Sequence, residues 1–345
     1  MRFYTGETDL EYDRSTEPNK RSLMDLPTKL MTKIAETYLN LFDMVMLSQV
    51  SRDFHSFCDS VDPGLRGTKK IELLMSPTET IVIFKKIMTE RMGQYVPIRF
   101  LPIENGYRME CRDDSVTVEN DCYLDGIRDV LMAHFTSKTS KIYKLSVIVT
   151  SERNGEWKKL VEKLSNSLFK SKINVEAVRF VADDPIHFLP LLDILTPGYL
   201  EKIEISNDSN IEIPYQRLAE TEQWKQAKKA FILEDGLSNP EHFPYFYHFE
   251  EIKIAVVDLT MEFLIELSNI LIASPNFKIC FIKGHKRFTA EDFASKIGGW
   301  TVDKEHVRLY LIDDTDDFLE FSGDFGGEYD RLRIDRRRFD FYENF

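Results

Sequence analysis

Ile142-x-x-Leu145-x-Val147, Val175-x-x-Val178-x-Phe180, Leu200-x-x-Ile203-x-Ile205 and Phe249-x-x-Ile252-x-Ile254 are four copies of one pattern. An apolar residue is followed by two spacers, a second apolar residue, one spacer and a third. The last two apolar positions are two residues apart, which puts them on the same face of a β-strand. The first positions are separated by 33, 25 and 49 residues. The last interval is about twice the second, so a degenerate unit is expected between them, near Phe231-Ile232-Leu233. Later strands are expected at Ile279–Ile282 and Val307–Ile312.

Helical spacing fills the intervals. Trp157, Leu160, Val161, Leu164 and Leu168 share one helix face, and so do Phe188, Leu191, Leu192 and Leu195 before the stop at Pro197-Gly198. Tyr215–Lys229, Met261–Ile272 and Thr289–Lys296 also read as helices. A strand plus a helix every 25 to 30 residues is the signature of a leucine-rich-repeat-like solenoid, whose units share one core because none can bury its own apolar face. The asparagine that usually follows the repeat core is missing, so the solenoid would be irregular. The other reading is an ordinary α/β domain with similar parallel strands.

A second stretch, Ser22 to Cys58, differs in kind. Pro27 suits a first helical turn, where its missing N–H would have no intrahelical partner. Leu30, Met31, Ile34 and Tyr38 then follow a 3.6-residue period, and Asp43 is placed to cap a following helix that carries Leu47, Val50, Phe54 and Phe57. Pro63-Gly64 ends the run. Two or three short helices in so few residues are near the lower limit for an independent core, so they should pack on a partner or on the rest of the chain.

Leu26-Pro27, Leu30, Ile34, Leu39, Asp43, Leu47, Val50 and Arg52-Asp53-Phe54 resemble an F-box, the helical motif that docks proteins onto the Skp adaptor of a cullin ubiquitin ligase. Ala35 stands where many F-boxes carry a large aromatic, one extra residue lies between Ile34 and Leu39, and Ser51 stands where cysteine is frequent. Phe188 through Ile205, and Glu222-Gln223-Trp224-Lys225-Gln226-Ala227-Lys228, resemble the FTH domain that follows an F-box in a large group of nematode proteins. That second resemblance runs from about Ile142 to Phe281. The fold expected from all this is α/β: an N-terminal three-helix F-box followed by the irregular leucine-rich-repeat-like solenoid. The implied domains are a disordered N-terminus at 1–20, the F-box at 21–63, a linker region with short strands and a helix at 64–140, the FTH body at 141–320 and a C-terminal tail at 321–345. Within the linker region, Lys69–Leu74 reads as a strand, Met109–Val118 as a hairpin and Tyr123–Phe135 as a helix.

Composition supports a large core and argues against some partners. The chain has 345 residues, 43% of them hydrophobic, with 25 phenylalanines. Its net charge of −13 weighs against general nucleic-acid or anionic-membrane binding, which favour clustered positive charge. Cys58, Cys111, Cys122 and Cys280 form no CxxC pair, so reduced thiols in a cytosolic or nuclear protein are expected. The N-terminus has no apolar core of a signal peptide, and the apolar run Ile252–Ala273 is broken by Asp258, Glu262 and Glu266.

Catalytic motifs are weak throughout. Asp324-Phe325-Gly326 lacks the other kinase signatures. Asp313, Asp314, Asp316 and Asp317 lack the glycine and terminal glutamate of a calcium loop. His242 and His248 have no metal-ligand spacing and read as core or surface histidines. The basic run Arg331–Phe339 reads either as a nuclear or phosphate-binding strip or as an edge strand protected by arginines.

The resemblance implies a non-catalytic, substrate-recognition subunit of a Skp–cullin–F-box ligase. Leu26, Pro27, Leu30, Ile34, Leu39, Leu47 and Val50 would form the apolar surface on the Skp adaptor, and the body would bind a target protein. No cofactor, metal, nucleic acid or membrane is called for. The alternative is a non-ligase interaction scaffold or a translational or developmental regulator.

Overall fold

The computed structural model describes Met31 and most of residues 68–338; residues 87–94, 136–141, 234–238, 302–306 and 325–329 and a few single positions fall outside the description. The chain divides into two compact units, Met1–Gly64 and Leu65–Phe345. Of the first unit only Met31, helical and buried, is described. The expected F-box helices therefore lie outside the described residues.

The described residues of the second unit form a single sheet of fifteen strands. In chain order these are β1 (Thr68–Met75), β2 (Thr80–Lys86), β3 (Tyr95–Ile103), β4 (Gly106–Cys111), β5 (Asp114–Glu119), β6 (Ile142–Val149), β7 (Val175–Ala182), β8 (Lys202–Ser206), β9 (Lys229–Leu233), β10 (Glu251–Leu259), β11 (Ile279–Lys286), β12 (Trp300–Thr301), β13 (Val307–Leu311), β14 (Asp317–Asp324) and β15 (Asp330–Arg338). The spatial order is β12-β13-β14-β15-β11-β10-β9-β8-β7-β6-β1-β2-β3-β4-β5. Pairing is parallel from β1 through β6 to β11 and antiparallel on both flanks.

This corrects the expected architecture. The body is one mixed sheet, not a leucine-rich-repeat-like solenoid. The four patterned copies occupy only the parallel centre. Both flanks are antiparallel strands, several joined by tight turns, and antiparallel neighbours need no crossover helix. Gly106 shows how tightly the β3–β4 hairpin turns. Its φ is +144°, and a Cβ there would lie 2.0 Å from the Val118 carbonyl oxygen on β5, so only glycine fits.

The parallel centre repeats because each strand enters the sheet in the same way. The units begin at Ile142, Val175, Leu200, Ala227, Phe249 and Phe277, and each of these residues is buried. The unit expected near Phe231 is β9, carried by Ala227, Ala230 and Ile232. In register across the sheet, Leu145, Val178, Ile203, Ala230, Ile252 and Cys280 form one row of the core. Val147, Phe180, Ile205, Ile232, Ile254 and Ile282 form the next.

Helices cover this apolar face. They are α1 (Tyr123–Phe135), α2 (Asn154–Leu168), α3 (Leu189–Ile194), α4 (Tyr215–Glu220), α5 (Glu222–Gln226), α6 (Met261–Ala273) and α7 (Ala290–Ile297). His134 of α1 stacks on Phe84 of β2 at 4.0 Å, Trp157 of α2 lies 5.9 Å from Phe180 of β7, and Phe293 of α7 meets Phe321 of β14 edge-on at 5.7 Å. The α2 face of Trp157, Leu160, Val161, Leu164 and Leu168 is wholly buried, as its spacing predicted. Each such side chain contributes about 1.5–3 kcal/mol before the entropy of ordering it is subtracted.

Tyr215–Lys229 is not one helix. Thr221 is extended at φ −77°, ψ 142°, ends α4 and caps α5 by accepting the Trp224 N–H at 3.2 Å. Ala227 is extended too, and β9 begins two residues later. The basic run is a strand, but not an edge strand: β15 pairs with β14 on one side and β11 on the other. Among the described residues, no helix is long and apolar enough to cross a membrane.

Candidate functional site

The face of the sheet opposite the helices is charged. Period two puts the residues between the core positions on this face, because they must point away from the core. Glu72, Ser146, Arg179, Glu204, Phe231, Lys253, Phe281 and Arg333 form one row in register across eight strands, from β1 to β15. Lys70, Lys144, Ala177, Lys202, Lys229, Glu251, Ile279 and Asp335 form the row beside it. The acids of these rows are Glu72, Glu204, Glu251 and Asp335; the bases are Lys70, Lys144, Arg179, Lys202, Lys229, Lys253 and Arg333. Bases therefore outnumber acids in these two rows of a chain whose net charge is −13.

Each acid serves two or more cations. Glu204 lies 3.0 Å from Lys144 Nζ, 3.3 Å from Lys202 Nζ and 3.2 Å from Arg179 Nε. The Arg179 contact is close enough for an ion pair but is not aligned as a hydrogen bond. Burial opposes the charge of Glu204, yet Lys144 and Lys202 outweigh it and hold the carboxyl below its ordinary range. Burial also dominates for Lys202, which is pushed down although Glu204 favours its charge. Glu251 bridges Lys229 at 2.9 Å and Lys253 at 3.4 Å, and Asp335 takes two hydrogen bonds from Arg333 at 2.6 and 2.8 Å.

The two aromatic rings of the row are already occupied. Lys202 and Lys253 lie 3.8 and 4.3 Å from the centre of Phe231, and Lys253 and Arg333 lie 5.0 and 5.6 Å from that of Phe281. Toward the carboxyl ends of β9, β10 and β11 the face dips into an open groove of about 490 Å3. Leu233, Lys253, Ala255, Phe281, Lys283, Ser322, Gly323, Arg331 and Arg333 line it, together with Ile254, Ile282 and Leu332.

The sequence gives a partial signal for this face. Lys144, Arg179, Lys202, Glu204, Lys229, Glu251 and Lys253 occupy spacer positions of the repeated pattern, but only the strand register shows which of them meet. Leu26, Pro27, Leu30, Ile34, Leu39, Leu47 and Val50, the expected adaptor contacts, lie outside the described residues, as do Asp313, Asp314 and Asp316. Asp317 is described, and it pairs with Arg336 at 2.8 Å. The histidines have structural partners. His242 Nε2 lies 2.5 Å from Glu212, and His248 Nε2 donates to the Trp224 carbonyl at 2.7 Å. Among the described residues, no cluster of His, Cys, Asp and Glu could hold a metal ion.

Comparison with known proteins points the same way as the sequence motifs. Residues 158–296 match the FTH domain. The chain is also similar to F-box A protein 224 of Caenorhabditis elegans, at 26% identity over 297 residues that cover 81% of this chain and 71% of the relative. Both findings bear out the resemblance to nematode F-box proteins with an FTH domain.

Proposed function

We propose, from the premise that this chain is a nematode F-box protein with an FTH domain, that it is the substrate-recognition subunit of a Skp–cullin–F-box ubiquitin ligase. The observation that carries the reading is the similarity to an F-box A protein along 81% of the chain, joined to the Leu26–Val50 motif. Leu26, Pro27, Leu30, Ile34, Leu39, Leu47 and Val50 dock the chain on the Skp adaptor, and through it on the cullin. The sheet body holds the target protein, and its charged face is the surface that does so. The chain itself performs no chemistry. It raises the concentration of target around the ubiquitin carrier, and the rate gain comes from that proximity.

Replacing Leu26 and Pro27 with alanine tests the docking half. Co-purification with the Skp adaptor is expected to disappear while the body still unfolds cooperatively. Undiminished adaptor binding by a folded variant would overturn the assignment. Target half-life tests the ligase half. Removing the chain should lengthen it, whereas loss of a scaffold would leave it unchanged.

A further inference from the structure

We infer that the groove at β9, β10, β11, β15 and β14 is the seat of an acidic segment of a partner protein, one whose carboxylates flank an apolar side chain. The inference rests on the reading of the charged face as the target-binding surface, and it names the chemistry of what binds there.

The construction of the groove carries the argument. Small residues, Ala255, Ser322 and Gly323, line it beside the long side chains of Lys253, Lys283, Arg331 and Arg333. None of the described residues that line it is acidic, although the whole chain is strongly acidic. Leu233 and Phe281 add apolar surface between the cations. At 490 Å3 the groove falls within the roughly 300–1,000 Å3 usual for ligand pockets. Asp335 fixes the Arg333 guanidinium with two hydrogen bonds, so this cation is positioned before anything binds. Asp324, opposite Arg331 in the β14–β15 register, is the nearest acidic position on the neighbouring strand.

The backbone beside the groove is irregular in a way that needs specific residues. The β10–β11 register shifts between Ala255 and Asp258, which marks a bulge. Gly284 faces that bulge, where a Cβ would come within 2.7 Å of the Val256 carbonyl oxygen. Bulges of this kind gather next to binding sites, where they re-aim side chains.

A nucleic-acid strand fits less well. Single-strand binding relies on bases stacking on open aromatic faces. Here the rings of Phe231 and Phe281 are covered by Lys202, Lys253 and Arg333. What remains is a mostly apolar groove lined by four cationic side chains, which suits an apolar side chain flanked by carboxylates.

The test uses the purified full chain without its adaptor, so it fails independently of the ligase reading. The probe is a short fluorescent peptide of glutamates with two phenylalanines, followed by anisotropy. It should bind, and its glutamine counterpart should bind about tenfold more weakly, with affinity falling as salt rises. A phosphoserine version distinguishes carboxylate from phosphate. The inference expects it to bind no more tightly than the glutamate peptide. The double substitution Lys283→Ser and Arg331→Ser should weaken glutamate-peptide binding about tenfold. Arg333 is left in place, because Asp335 would lose the two hydrogen bonds it accepts from it. Equal binding of the glutamine peptide, no effect of the double variant in a chain with wild-type melting, or tighter binding of an oligouridylate or of the phosphoserine peptide would each overturn the inference.

Discussion

Lys144 on β6 reaches across β7 to place its ammonium 3.0 Å from the Glu204 carboxylate on β8. It can do so because Ala177 is its register neighbour on β7 and Lys202 is the next residue along the row. A small side chain in the middle lets three cations converge on one acid.

Glu204→Gln should therefore destabilise the sheet by about 2 kcal/mol near pH 7, since the acid is only 6% exposed and its partners are charged. The pH dependence follows from the lowered carboxyl. Its stabilisation is fully present above the ordinary value of 4.5 and is lost as pH falls through the lower folded value. Urea unfolding of both proteins at neutral and strongly acid pH measures this. A difference between them that persists undiminished below pH 4.5 would contradict it.

His134 is expected to shape acid sensitivity through the opposite chemistry. Burial pushes it from 6.5 down to about 3, it stacks on Phe84, and its Nε2 has no hydrogen-bond partner among the described residues. Between those two pH values the unfolded chain binds a proton that the folded chain refuses, so stability declines as pH drops from 6.5 toward 3. The slope is at most about 1.4 kcal/mol per pH unit. His134→Phe should flatten it and raise the melting temperature at pH 5. A variant whose stability falls with pH as steeply as the wild type would show that other groups carry the slope.

Trp224 joins α5 to the turn before β10. Its indole N–H donates to the Tyr245 carbonyl at 3.0 Å, and its ring meets Phe246 and Phe249 edge-on at 5.5 and 5.0 Å. Trp224→Ala should cost about 3–5 kcal/mol through the cavity it leaves. Trp224→Phe should cost less, chiefly through the carbonyl left without a donor. Chemical denaturation of the two variants gives the order, and equal costs would refute the role assigned to the hydrogen bond.

The thiols should differ sharply in reactivity. Cys122 is exposed, Cys111 and Cys280 are buried, and burial pushes the Cys280 thiol up, away from the reactive thiolate. Iodoacetamide on the native chain, followed by peptide mapping, should label Cys122 and spare Cys111 and Cys280 until denaturant is added. Rapid native labelling of Cys280 would show that β11 opens readily.

Most strands and helices of the body are legible without a structure. Trp157 through Leu168 forms a helix along the face its spacing marks, and Tyr123–Phe135 and Met261–Ile272 do likewise. The misreadings have physical causes. The unit near Phe231 is found from the doubled interval, but Ala227 and Ala230 blur where it starts, because alanine fits a strand, a helix or a surface equally well, so the expected helix runs on to Lys229. Thr221 divides the expected long helix, because its hydroxyl competes for a backbone N–H that a continuous helix would use. The groove was not legible at all. Its cations come from β10, β11 and β15, and no spacing along the chain reports that these strands are neighbours.

The sequence by itself determined where apolar faces form, since side chains alternate along a strand and recur every 3.6 residues along a helix. It also carries the family resemblance, from Leu26-Pro27 to the FTH segment. Only the tertiary structure decided that the parallel units end in antiparallel flanks and that β15 inserts between β14 and β11. Backbone N–H and C=O groups are alike at every residue, so an isolated strand does not name its partner. Packing of the whole apolar face selects the pairing, and that pairing brings Lys144 to Glu204 and gathers the cations around one groove.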